Sequence, residues 1–429
     1  MKRKLEESIL HGSVHAIPSK SDLHRLLICA ALADAPTTID LHSEATLSND
    51  IVATVQCLRA MGADITLPDS GNATILVKPI AGKVEAPLLD CGESGSTLRF
   101  LLPVAAVNAT RASFTGSGRL PERPVSELLD AMAPNGVTTT NPKLPFSFAG
   151  ELHAGTYTLP GNVSSQYITG LLLALPRLPG DSEIVLTTAL QSASYVDITI
   201  HSLEQFGIQV ERTETGWKVP GNQTFQTPGL LTADGDWSNS GFWLVAGALM
   251  DEGLTVEGLD LSSPQGDKAT LDVLRDFGAE VQTAETASRF SSITVKFAPM
   301  RGTTVDLSDI PDALPILAVL ASQAQGETHF INGERLRIKE SDRIHSVWDM
   351  ITSLGGQAEE QPDGLIVHGT RLQGGTVDAY NDHRIVMATA IAALICDGPV
   401  IIDGAEAANK SYPSFFDDYN TLGGNSYGI

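Results

Sequence analysis

"CLRAMGADI", residues 57–65, ends a helical apolar run on a glycine and turns at once into an alternating, strand-like pattern. Glycine is what a helix end prefers where the chain enters the left-handed region. The same phrase returns as "LLDAMAPNGV" (128–137), "SLEQFGIQV" (202–210), "VLRDFGAEV" (273–281), "MITSLGGQA" (350–358) and "DYNTLGG" (418–424). Gly62, Gly136, Gly207, Gly278, Gly355 and Gly423 thus stand about 70 residues apart, the mark of an internally repeated supersecondary unit. Six units are implied.

A second series runs out of phase with the first. Six strongly apolar runs each open on a polar cluster: Ser19-Lys20-Ser21 before "LLICAALA", Glu93-Ser94-Gly95-Ser96 before "LRFLLPVAAV", Ser164-Ser165-Gln166 before "YITGLLLALP", Ser238-Asn239-Ser240 before "GFWLVAGALM", Pro311-Asp312 before "ALPILAVLA", and Asp382-His383-Arg384 before "IVMATAIAAL". Helices apolar all round must be buried, whereas 341–354, with Ile344, Val347, Trp348, Ile351 and Leu354 on one face, reads as amphipathic. With short β-rich runs such as "ITVKF" and "GLIVHG" between them, each unit reads as βαβαββ. If equivalent helices point the same way, their N-termini converge, and positive dipole ends together suit an anion. Caps explain Ser and Asp at such starts. They do not explain Lys20, whose charge opposes the helix dipole.

The composition limits the alternatives. A chain of 429 residues exceeds one compact core and predicts two domains of about 200 residues each. Mean hydropathy is +0.03, no run reaches about 18 apolar residues, and Met1–Glu7 leads into no signal core, so the expectation is a cytoplasmic protein with no membrane span. Net charge is −23, which argues against bulk attraction to nucleic acid or anionic membrane. Cys29, Cys57, Cys91 and Cys396 lack metal-ligand spacing and read as reduced structural thiols.

In so acidic a chain, clustered cations carry information. Arg25, Arg99, Arg119 and Arg123, the run Arg335, Arg337, Lys339 and Arg343, then Arg384 and Lys410 would, if several shared a site, bind phosphate and carboxylate groups. Asp312 reads either as a cap or as a base toward a hydroxyl; Glu340 as a surface partner of Lys339 or a proton donor; His383 as a cap or an acid–base group.

In chain order, "PSKSDLHR" (18–25), "ESGSTLR" (93–99), "RLPERPV" (119–125), "SSQY" (164–167), "SASY" (192–195), "DIPDA" (309–313), "RIKESDR" (337–343), "YNDHR" (380–384) and "NKSYPSFF" (409–416) each match a block of one family. Over nearly its whole length the chain resembles the 5-enolpyruvylshikimate-3-phosphate synthases, the enolpyruvyl transferases of the shikimate pathway. That resemblance implies an α/β fold of two globular domains, each of three βαβαββ repeats around buried helices, in a pseudo-sixfold arrangement with the active site in the interdomain cleft. The implied domains are 19–232, mainly binding shikimate-3-phosphate, and 1–18 with 233–429, carrying phosphoenolpyruvate-binding cations and acid–base residues.

Matched residue by residue, the resemblance implies a shikimate-3-phosphate site of Lys20, Ser21, Arg25, Ser164, Ser165, Gln166, Ser192, Tyr195, Asp312, Arg335 and Lys339. Phosphoenolpyruvate would be held by Lys20, Gly95, Arg123, Gln166, Arg343, Arg384 and Lys410, and the catalytic set would be Lys20, Asp312, Glu340 and His383. The implied reaction is transfer of the enolpyruvyl group to the 5-hydroxyl through a tetrahedral intermediate, without metal or organic cofactor. The implied partners are the two small-molecule substrates, with the protein a monomer. Glyphosate would occupy the phosphoenolpyruvate subsite.

Three positions depart from the family pattern. Glu93 stands where Asn is usual and is expected to pair with a nearby cation, Ser96-Thr97 where Thr-Ala is common, and Arg335 where an Asn often touches shikimate-3-phosphate. The related UDP-N-acetylglucosamine enolpyruvyl transferases usually carry a loop cysteine where this chain has Gly118. An RNA-terminal phosphate cyclase or ring clamp would need a nucleotide loop or a basic stripe, and neither is present. A catalytically dead homologue would show losses among Lys20, Asp312, Glu340 and Arg384, all of which stand.

Overall fold

Six helices are too apolar to face water on any side: Lys20–Leu32, Gly95–Asn108, Ser165–Ala174, Trp237–Ala248, Leu314–Ser322 and His383–Ala392. Every residue of the last two is buried. Six others bury one face only: Asn49–Ala60, Ser126–Met132, Ala193–Gln205, Thr270–Phe277, Arg343–Ser353 and Phe415–Thr421. The structure is a computed structural model, and it describes residues 1–43, 46–69, 71–286 and 288–429.

All six repeat glycines take positive φ, from 73° at Gly207 to 108° at Gly423. There the chain reverses from helix into strand at no cost from a Cβ. The amphipathic helix expected over 341–354 begins later, at Arg343, because the Asp342 carboxylate caps it by accepting from the His345 N–H at 3.3 Å. Lys339, Glu340 and Ser341 are left outside the helix, free of its geometry.

Among the described residues the strands form six four-stranded sheets of one design. In one of them Leu88–Asp90 runs parallel to Arg111–Thr115, which pairs antiparallel with Phe146–Gly150, and Val137–Thr139 closes the edge. With the helices Gly95–Asn108 and Ser126–Met132 between its strands, this is βαβαββ, as expected. The sheets built on Thr156–Leu159 and Thr304–Asp306 repeat that order without a break.

The other three sheets are completed by distant strands. Leu230–Thr232 lies parallel to Thr37–Asp40, and Ser13–His15 parallel to Leu254–Leu259. The N-terminal strand Lys2–Glu6 inserts between Val400–Asp403 and Asn425–Gly428, with Lys4 opposite both Ile401 and Tyr427. These borrowed strands sort the chain into two compact units, Met1–Ser19 with Asp234–Ile429, and Lys20–Ala233, each with three sheets and its own apolar core. All four cysteines are buried free thiols, and no described helix is long and apolar enough to cross a membrane.

In the Lys20–Ala233 unit two buried helices cross at close range. Pro103, inside Gly95–Asn108, lacks the N–H that would bond the Arg99 carbonyl. Gly170 meets that carbonyl so closely that any Cβ would overlap it. The crossing locks the two helices together one to two turns beyond the starts on which candidate residues lie.

Candidate active site

The candidate residues of the Lys20–Ala233 unit sit at helix starts held by hydroxyl chains. Ser94 caps Gly95–Asn108 by accepting from the Thr97 N–H at 3.2 Å, and Thr97 Oγ1 lies 2.7 Å from Thr54 Oγ1. Ser164 caps Ser165–Ala174 by accepting from the Gln166 N–H. Ser192 precedes Ala193–Gln205 with φ of 53°, a left-handed setting that few non-glycine residues adopt. Caps therefore account for Ser94 and Ser164, and leave the neighbouring polar groups to be explained.

One group gathers around Arg99. Its Nη1 donates to Gln166 Oε1 at 2.7 Å, its Nε and Nη2 donate to the Pro124 carbonyl, and Gln166 Nε2 donates to Ser96 Oγ at 2.9 Å. A Cβ on Gly95 would lie 2.5 Å from Arg99 Nη1 and 2.9 Å from Arg123 Nη2. Gly95, Ser96, Arg123 and Gln166 are thus brought together, and Arg99, absent from the implied set, holds them. Glu93 packs against Gly118 in the loop that leads to Arg123.

Lys20 answers the misfit at its helix start by pairing with Asp50, Nζ to Oδ2 at 2.8 Å, in the first turn of Asn49–Ala60. Arg25 is buried and committed: Nε donates to Thr199 Oγ1 at 2.8 Å, Nη2 to the Tyr195 carbonyl at 2.7 Å, and the guanidinium lies over the Phe100 ring. Burial pulls its pKa down to about 10. Its visible work is to tie Lys20–Leu32 to Ala193–Gln205, beside Ser21 and Tyr195.

The other unit holds the denser cluster. Asp312 receives Arg343 Nη1 at 2.7 Å, Arg384 Nη2 at 3.1 Å and Lys339 Nζ at 3.4 Å. Glu340 accepts from Arg343 Nη2 at 2.7 Å, and Asp382 from Arg343 Nε at 2.9 Å. Arg384 also donates to Ser238 Oγ at 2.9 Å, and that hydroxyl donates to Asp267 Oδ1. Lys410 Nζ donates to the carbonyl of Asn381, which with Tyr380 forms a consecutive left-handed pair ahead of the helix His383–Ala392.

Charges here nearly cancel. Lys339, Arg343 and Arg384 face Asp312, Glu340 and Asp382. Burial alone would raise the Asp312 pKa, yet Arg384, Lys339 and Arg343 outweigh it and hold the carboxyl well below the usual range. Burial lowers the Lys339 pKa, while for Arg343 it is overcome by Asp382, Asp312 and Glu340, which raise it. Burial also pushes Asp267 up to about 6. The arrangement can bind an anion by exchanging internal carboxylates for external ones.

Neither Asp312 nor His383 is the cap of its helix. Asp312 does not cap, for the short turn Pro311–Ala313 and the helix Leu314–Ser322 have no side-chain cap. Nor does His383: Asp382 caps that helix by accepting from the Arg384 N–H, and His383 is buried in its first turn. Arg335 is half-buried in the turn Glu334–Ile338. Arg337 pairs with Asp342 and Glu360, and Arg119 with Glu122 at an exposed position, so both stand apart from the clusters. Depressions on outer sheet faces, one lined by Arg111, Thr138 and Ser147 and another by Thr187, Arg212 and Trp217, hold none of the candidate residues.

Sequence reasoning missed Asp50, Asp267 and Asp382 as partners; Arg99 stood only among the clustered cations and Ser238 only in a polar cluster at a helix start, and the resemblance gave neither a place in the substrate sites. Asp382 stood inside the quoted "YNDHR", where the acidic residue at a helix start read as a cap alone.

A family model described as EPSP synthase (3-phosphoshikimate 1-carboxyvinyltransferase) matches residues 6–419. The 3-phosphoshikimate 1-carboxyvinyltransferases of Clostridium kluyveri and Clostridium novyi are 42% and 40% identical to the chain, covering 97% and 98% of it and 96% and 97% of their own lengths. An EPSP synthase structure from Acinetobacter baumannii matches with TM-score 0.81 at 23% identity over all of both chains. The enolpyruvyl transferase NikO from Streptomyces tendae matches with TM-score 0.78 at 20% identity, covering 99% of this chain and 98% of that one. At such identities the two structures speak for the fold.

Proposed function

The chain belongs to the EPSP synthase (3-phosphoshikimate 1-carboxyvinyltransferase) family, and on that premise we propose how its own residues divide the work. The reaction moves the enolpyruvyl group of phosphoenolpyruvate to the 5-hydroxyl of shikimate-3-phosphate and releases phosphate, a step toward chorismate and the aromatic amino acids. The single observation that carries the assignment is Asp312 set among Lys339, Arg343 and Arg384, one carboxylate among three cations.

Phosphoenolpyruvate would bring a phosphate and a carboxylate to Arg343, Arg384 and Lys410, with Arg123, Gln166, the Gly95 backbone and Lys20 as the other donors that the family resemblance implies. An anion that takes a donor from Asp312 lifts that carboxyl's pKa, because the lost cation was what favoured the charged form. Binding thereby readies Asp312 to accept the 5-hydroxyl proton as the oxygen attacks C2. Glu340, with Lys20, delivers a proton to C3. The tetrahedral intermediate then loses phosphate as C3 returns a proton to Glu340, and the hydroxyl proton held by Asp312 leaves with the phosphate as hydrogen phosphate, so both carboxyl groups end as they began.

Preorganised donors would stabilise the charge that develops. His383 has a positioning place in this scheme, buried at the helix start beside Arg384. Shikimate-3-phosphate would be held by Lys20, Ser21, Arg25, Ser164, Ser165, Gln166, Ser192, Tyr195, Arg335 and Lys339. We place the enzyme in the cytoplasm as a monomer, which size-exclusion chromatography with light scattering tests.

Phosphate release from phosphoenolpyruvate is expected only when shikimate-3-phosphate is present. Release that is independent of it, or that responds instead to UDP-N-acetylglucosamine, would remove the assignment. A narrower expectation concerns Gly95→Ala. The new methyl lies 2.5 Å from Arg99 Nη1 and 2.9 Å from Arg123 Nη2, the far ends of flexible side chains, so the fold should survive while both guanidiniums shift. Misplacing Arg123, a charge-assisted phosphoenolpyruvate donor, predicts a KM for phosphoenolpyruvate raised about 10- to 100-fold, with a smaller rise for shikimate-3-phosphate through Gln166, which Arg99 holds. Equal effects on both substrates would place Gly95 outside the phosphoenolpyruvate subsite.

A further inference from the structure

Asp382 has no part in the proton transfers, yet it is the most deeply buried carboxylate of the cluster. Its side chain is 0% exposed, against 16% for Asp312 and 21% for Glu340. Each oxygen takes two donors. Oδ2 accepts from Arg343 Nε at 2.9 Å and Ser341 Oγ at 3.0 Å; Oδ1 accepts from Arg343 Nη2 at 3.2 Å and the Arg384 N–H at 3.0 Å. Ser341 is steadied in turn by Ser346 Oγ at 2.8 Å.

Capping alone does not ask for a charge. Ser, Thr and Asn cap as well as Asp, and a serine opens two of the equivalent helices here, at Ser94 and Ser164. The charge is explained by Arg343, whose Nε edge lies against Asp382 in a bidentate fork. Its Nη1 faces Asp312, and its Nη2, shared with Asp382, also faces Glu340, both carboxylates within reach of an entering anion. An external anion can displace those two carboxylates, whereas Asp382 is sealed from it.

We propose that Asp382 is the positioning residue of the phosphoenolpyruvate half-site, fixing Arg343 through its carboxylate and Arg384 through the helix start it caps. The proposal rests on the functional reading above. It makes Asp382 the permanent counter-ion of Arg343, with Asp312 and Glu340 the exchangeable ones. Because one carboxylate sets both arginines, their spacing is fixed before substrate arrives, and no ordering of long side chains is left to binding.

Asp382→Asn separates this role from capping. The amide oxygen can stay at the Oδ1 position, on the Arg384 N–H and Arg343 Nη2, while the NH2 group points at Arg343 Nε and Ser341, so that Nε loses its acceptor, the bidentate fork is broken and the counter-charge is gone. The expected result is a KM for phosphoenolpyruvate raised about 10- to 100-fold, the KM for shikimate-3-phosphate within about threefold, and a folded protein by thermal melt. Asp382→Glu, which keeps the charge one methylene away, should fall between wild type and the Asn variant. A purely structural role would lower the melting temperature and the active fraction without moving KM. An unmoved KM for phosphoenolpyruvate in the folded Asn variant overturns the proposal, as does an equal rise for both substrates. If the Asn variant does not fold, the same split decides the matter in Asp382→Glu. Wild type assayed in parallel tests the functional reading itself, so an active wild type beside unmoved variants removes only the role of Asp382.

Discussion

Asp312→Asn is expected to lower kcat by about 10²- to 10⁴-fold, the range for loss of a positioned acid–base group, in phosphate-release assays saturated with both substrates. The KM for phosphoenolpyruvate should stay level or fall. Asp312 competes with an entering anion for Arg343, Arg384 and Lys339, and an amide competes less well. Loss of turnover with unimpaired donor binding would mark a base; a raised KM with intact kcat would mark a binding group and defeat the assignment. Phosphoenolpyruvate should also move the Asp312 titration upward, which carboxyl NMR can follow in the presence and absence of ligand.

The same residue makes a prediction about stability against pH. Its folded pKa lies well below the unfolded value, burial opposing and the three cations prevailing. Such a group contributes stability that is fully present above the unfolded pKa of about 3.9 and is lost as pH falls through the folded value. Asp312→Asn should therefore melt below wild type at neutral pH, and the gap should narrow as pH drops beneath about 4. A gap independent of pH would mean that packing, not charge, is what Asn disturbs.

Much of the architecture was legible because it repeats. Six glycines at a common spacing marked six helix-to-strand reversals, and each takes positive φ. Six runs apolar on every side had to be interior helices, and they are. What could not be read from the residues was which strand closes each sheet: Leu230–Thr232 and Ser13–His15 are three residues long, and pairing across some 190 residues or more leaves no local pattern. Resemblance alone assigned the first strand to the later half of the chain.

The site divided in the same way. Lys339, Glu340 and Arg343 lie so close in sequence that a shared site was a natural reading, whereas Asp50 comes to Lys20 from 30 positions away and Asp382 to Arg343 from 39. Carboxylates at helix starts have a ready local explanation as caps, and that explanation hid their second partners. At Asp312 it was wrong outright, and at His383 the cap is its neighbour.

Lys20→Met should nearly abolish turnover, by about 10²- to 10⁴-fold in kcat, since the lysine is assigned both a substrate anion and a share in protonating C3. Its effect on stability is where sequence and structure disagree in sign. From sequence alone, removing a cation from the positive end of a helix relieves a repulsion of a few tenths of a kcal/mol, so the variant should be as stable as wild type or slightly more so. In the structure Asp50 lies 2.8 Å from Lys20 Nζ, with only 18% and 13% of the two side chains exposed. Leaving that carboxylate unpaired costs about 1 to 3 kcal/mol, between the surface and the buried limits, and this outweighs the dipole relief. The variant should melt below wild type, and adding Asp50→Asn should restore part of the loss, since the double variant leaves no charge stranded. Turnover should remain low in the double variant. If Lys20→Met melts at or above wild type, the dipole prevails and the pair with Asp50 contributes nothing to the fold; if the double variant regains activity, Lys20 was needed only to neutralise Asp50 and not for the substrate.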